Sequence, residues 1–75
     1  MASPKLPYQV QCKSTYPFFE TIAAFDSERA AFAYASECAG YNLKFDYQMA
    51  KGRRILANAD ACRHMGVRKL QGFAR

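Results

Sequence analysis

The sequence predicts an α+β domain: a small antiparallel sheet laid out β-β-α-β-β, one main helix on one face, then a short C-terminal helix and tail. Three observations lead there. Residues 8–13 and 43–49 alternate apolar and polar side chains, the period-two pattern of a half-buried strand. Residues 26–42 place Ala31, Ala35 and Cys38 at i, i+4 and i+7, one stripe of a helix, with Arg29, Ser36 and Glu37 on the opposite, wet side. One such helix on an antiparallel sheet satisfies the packing of a two-layer domain.

In chain order, Pro4 and Pro7 hold residues 1–7 as an extended leader. In residues 8–13, Tyr8, Val10 and Cys12 point to the core and Gln9, Gln11 and Lys13 to water. Residues 14–17 make a turn. Residues 18–25 form a second strand, apolar on both sides, so it is either covered on both faces or exposes one to a partner. Asp26 or Ser27 caps the helix, Glu28 complements its positive end, and Gly40 and Asn42 suit its stop. Leu43, Phe45, Tyr47 and Met49 face inward on the third strand. Residues 50–52 reverse the chain, with Gly52 at positive φ. Residues 53–57 return with Ile55 and Ala57 inward. Asn58 caps a short helix over 59–65 that Gly66 stops. Residues 67–75 are a basic tail, an added edge strand or a mobile end.

Seventy-five residues make a single domain, 1–75. A chain this short buries only about 60% of its unfolded surface, so its core is thin. Half of it is apolar (51%), which argues against disorder. No apolar run approaches the length of about 18 residues that spans a bilayer, so no membrane is expected. The three cysteines cannot all pair within the chain, which favours reduced thiols and a cytoplasmic location.

The net charge of +5 is unevenly distributed: residues 1–50 sum to −1 and residues 51–75 to +6. An anionic partner for the last third follows from that asymmetry, ordinary solubility being the bland alternative. The candidate binding residues are Lys51, Arg53 and Arg54 of the hairpin, Arg63, Arg68 and Lys69 of the tail, and Tyr16 and Phe18, which can stack bases if exposed. Arg75 belongs to the same tail.

Cys12, Cys38, Cys62 and His64 have the composition of a zinc site but not its spacing, and no metal or other cofactor is expected. Cys62 and His64 at i and i+2 on a helix point apart, so a nucleophile–base pair is not expected either. Glycines are scattered singly, without a phosphate loop. The chain reads as a non-enzymatic binding protein, monomeric or a small homo-oligomer. Its expected partner is an acidic protein face, or DNA or RNA if it acts alone.

From about residue 16 to residue 57 the layout resembles that of very small phage and prophage proteins. There a strand pair leads into a helix opening Asp-Ser-Glu-Arg-Ala-Ala, here residues 26–31, and then to a hairpin turned on Lys51-Gly52. Type I anti-CRISPR proteins are similar, compact with a sheet and one helix. The resemblance implies an inhibitor in the host cytoplasm that blocks a complex by occupying its surface, sometimes where nucleic acid binds. It transfers no functional residues, and the cysteines and basic tail form no part of it.

Overall fold

The computed structural model describes residues 6–73, with side chains through Lys69. Residues 1–5 and 74–75 lie outside the described residues, and with them most of the expected leader and Arg75. Six elements follow one another: β1 (Tyr8–Lys13), β2 (Glu20–Phe25), α1 (Glu28–Tyr41), β3 (Asp46–Lys51), β4 (Arg54–Ala57) and α2 (Ala59–Phe73). The class is α+β. Four antiparallel strands take the order β2-β1-β3-β4, and both helices pack on one face.

The alternating segments become the two central strands. Val10 pairs with Met49 across β1 and β3, and the two are 0% and 2% exposed. Tyr47 is buried beside them, and Tyr8 and Cys12 are half-buried against the same core. On the other face the wet residues satisfy one another. Gln48 Nε2 donates to Gln11 Oε1 at 2.7 Å, and Gln11 Nε2 reaches Thr21 Oγ1 at 3.4 Å.

The edge strands depart from expectation. β2 starts at Glu20, leaving Tyr16 and Phe18 in the preceding loop. It is an edge strand that packs Ala23 and Phe25 inward and exposes Ile22 and Ala24, the second of the two expected arrangements. Its register slips between Val10 and Gln11, which leaves Ile22 as an extra residue. On the other edge a slip between Met49 and Ala50 leaves Leu56 extra in β4. That slip turns Ile55 to the outer face opposite Ala50, so Ile55 is 48% exposed instead of inward. The reversal between β3 and β4 is Gly52-Arg53, not residues 50–52. Lys51 pairs with Arg54, and Gly52 has φ +64, as a glycine at the first central position of a type II′ turn requires. Leu43 precedes β3 in a loop and is 56% exposed.

Ser27, not Asp26, caps α1: its hydroxyl accepts from the Ala30 amide at 3.0 Å. Ala31, Ala35 and Ala39 are buried, and so is Ser36, which the helical stripe had placed toward water. The reason is α2. Asn58 Oδ1 accepts from the Ala61 amide at 2.9 Å and starts this helix as expected. Gly66 does not stop it. The helix runs on to Phe73, so the segment expected as a tail is helical as far as the described residues go.

Both glycines read as helix stops instead lie inside helices, at their crossing. A Cβ on Gly66 would sit 2.1 Å from the Ser36 carbonyl oxygen, and one on Gly40 would sit 2.7 Å from the Gly66 carbonyl oxygen. The two backbones are therefore in direct contact, a packing only glycine allows.

Arg63 ties α2 to the loop before β3. Its Nη2 donates to Leu43 O (2.9 Å), Phe45 O (3.2 Å) and Asp46 Oδ1 (3.1 Å). Among the described residues this is the one side-chain ion pair.

Gly66→Ala is expected to lower stability by about 1–3 kcal/mol through overpacking, read as a lower urea midpoint. An exposed helical glycine would instead gain up to about 1 kcal/mol from the same change. A raised midpoint would therefore mean that the helices do not touch there.

Candidate binding surfaces at the two ends of the sheet

The direction of each element decides which charges meet. α1 starts just after Phe25, which pairs with Tyr8, which pairs in turn with Lys51. This is the hairpin end. α1 finishes at Asn42, whose Nδ2 donates to Tyr47 Oη at 3.4 Å, near the other end. α2 leaves β4 beside Met49, halfway along the sheet. It reaches Asp46 with Arg63 and crosses Gly40 at Gly66, so it travels away from the hairpin. Arg68 and Lys69, both exposed, follow within a turn.

The expected hairpin-and-tail surface is thus divided. Lys51, Arg53 and Arg54 lie at one end. Tyr16, Phe18, Arg63, Arg68 and Lys69 lie at the other, separated by the length of β3 from Lys51 to Asp46, about 17 Å of strand. Arg63 is held against the loop carbonyls and Asp46, with its side chain still 40% exposed.

At the hairpin end Lys51, Arg53 and Arg54 are exposed, and no carboxylate of the described residues pairs with them. Lys51 Nζ lies 5.2 Å from the centroid of the Tyr8 ring, a cation–π contact that steadies it and occupies the ring. Exposed Ile55 follows Arg54 in the chain, and exposed Leu6 lies two residues before Tyr8, which pairs with Lys51. Because α2 begins only halfway along the sheet, the helical layer is open beside β4. A groove of about 510 Å³ remains there, lined by Glu28, Arg29, Phe32, Met49, Leu56, Ala57 and Ala61.

At the loop end Tyr16 and Phe18 stack, with ring centroids 5.8 Å apart and planes 17° from parallel. They are 56% and 57% exposed. Tyr41, which the sequence reading did not single out, and Leu43, which it placed inward, are exposed at the same end of the sheet. Lys13 and Lys44 were missed as well. Their membership of this end follows from the Lys13–Asp46 pairing, and that β1–β3 pairing is not visible in local patterns.

The cysteines do not form a reactive or metal-holding cluster. Among the described residues no three of His, Cys, Asp and Glu converge. Cys62 is fully buried and its Sγ points to the Ala57 carbonyl at 3.9 Å, while His64 is exposed. Burial pushes the Cys62 thiol up to about 11, the opposite of nucleophile activation. Burial also raises Cys38 and Tyr47. Compared with protein-family models, with curated proteins and with solved structures, the chain matches none of them.

Two outcomes follow from the thiols. An aromatic disulfide reagent should titrate Cys12 and Cys38 in the native protein and Cys62 only after unfolding; prompt reaction of all three would mean that Cys62 is open. The raised Cys62 thiol favours the folded state below its ordinary value of 9.0, and that contribution is lost as pH climbs toward about 11. The melting temperature should therefore fall across that window, and less steeply in Cys62→Ala, measured by circular dichroism.

Proposed function

We propose that the protein is a non-enzymatic binding module that presents its β3–β4 hairpin to an acidic surface of a partner protein or nucleoprotein complex. One observation carries this reading: Lys51, Arg53 and Arg54 stand exposed and without carboxylate partners on a two-residue turn set by Gly52. A rigid turn lowers the ordering cost of binding, since the arginines are already positioned by the sheet. Guanidinium groups pair with carboxylates through two parallel hydrogen bonds, which gives geometric specificity as well as attraction. Exposed Leu6, Ile55 and Leu56 supply apolar area next to the charge, the mixture found where arginine anchors a protein interface.

The resemblance of residues 16–57 to compact phage inhibitors supports a particular mode of action. Such a protein acts by occupancy: it covers a surface that a host complex needs and performs no chemistry on it. The cytoplasm of the host is the compartment that this reading requires.

The double variant Arg53→Glu/Arg54→Glu should keep its circular dichroism spectrum and melting temperature, because neither side chain is buried or bonded internally. It should lose a partner that the parent protein co-purifies from its native host. Full retention of that partner by the folded variant would place the docking surface elsewhere.

A further inference from the structure

We infer that the loop end of the domain, independent of the hairpin, is a stacking platform for single-stranded nucleic acid. Tyr16 and Phe18 present paired, nearly parallel rings, 5.8 Å apart at 17°, and each leaves more than half of its surface to solvent. Neither belongs to the core. Two exposed rings cost solvation in a chain whose core is otherwise made of alanines, one valine, one methionine, one tyrosine and one cysteine. Tyr41, at 70% exposure, adds a third ring at the same end.

The charge around these rings has one sign in excess. Lys13, Lys44, Arg68 and Lys69 are exposed here. Asp46, the carboxylate nearest to Lys13 by pairing, is already held by Arg63. Glu20 and Glu37 remain as the exposed acids of this end. Cations flanking exposed aromatic faces match a chain of phosphates that carries unpaired bases: the rings take the bases and the amines and guanidinium take the backbone.

The alternatives fit less well. Duplex DNA hides its base faces, so the rings would gain nothing from it. An acidic protein surface would use the cations but not two flat, parallel rings. The hairpin end offers no such platform, because the Tyr8 ring is already covered by Lys51. The two ends therefore suit different parts of a nucleoprotein complex.

The test is fluorescence anisotropy with a labelled oligothymidylate, its duplex counterpart, and three proteins: the parent, Tyr16→Ala/Phe18→Ala, and Arg53→Glu/Arg54→Glu. The parent should bind the single strand in preference to the duplex. Its affinity should fall with salt at a log–log slope of roughly −0.7 per phosphate neutralised. Loss of the two rings should weaken binding about tenfold or more while the melting temperature holds, since both side chains are exposed. The hairpin variant should bind as the parent does, so failure here and failure of the hairpin reading are separate results. Charge reversal by Lys44→Glu/Lys69→Glu should also reduce affinity and flatten the salt slope. No binding at low salt, equal affinity for duplex and single strand, or unchanged binding by the ring variant would each overturn the inference.

Discussion

The fold depends on how closely two helices can approach. The residues of α1 that face the sheet and α2 are Ala31, Ala35, Ser36, Ala39 and Gly40, and α2 meets them with Cys62 and Gly66. With such small side chains an ordinary helix separation would leave voids, and voids in a thin core are costly. Bare backbone at Gly40 and Gly66 removes the gap by letting the helices touch. Ser36 Oγ is buried near this contact with no hydrogen-bond partner among the described residues, a cost that the close packing carries.

From that contact the distribution of exposed charge follows. Because Gly66 must reach Gly40, α2 is directed toward the loop end, and Arg68 and Lys69 come to that end instead of to the hairpin. Arg63 fixes the same trajectory from the other side by holding the carbonyls of Leu43 and Phe45. The hairpin is left uncovered, with Arg54 followed in the chain by exposed Ile55 and Leu56. One end of the sheet thus offers planar rings beside lysines and an arginine, and the other offers Lys51, Arg53 and Arg54 beside branched chains. The length of the strands separates two clusters that a linear reading of charge merges into one.

What was legible in the sequence was local. The strand at Tyr8–Lys13 and the cap at Asn58 follow from alternation and from hydrogen bonding within four residues, and both stand where those rules put them. The helix start was narrowed to two residues, of which Ser27 is the cap. What was not legible needed a partner element to be known. Gly40 and Gly66 look like stops because glycine ends helices far more often than it joins them, and only the other helix distinguishes the cases. Ser36 looked wet for the same reason. Ile55 turned outward because of a single extra residue in β4, which no period-two pattern contains. The aromatic pair was named, yet its companions Lys13, Lys44 and Tyr41 come from three segments that only the β1–β3 register and the path of α1 bring to one end.

The extra residues of the two edge strands, Ile22 and Leu56, have a consequence for behaviour at high concentration. An open four-stranded sheet has two rows of unpaired amides and carbonyls, each a template on which another molecule could add a strand and begin a fibre. In this protein each row is interrupted: the surplus residue bends the strand and breaks the hydrogen-bonding repeat that an incoming chain would have to match. β4, at four residues, is too short to give a newcomer much purchase in any case. A surplus residue in each edge strand thereby works against strand addition along both borders.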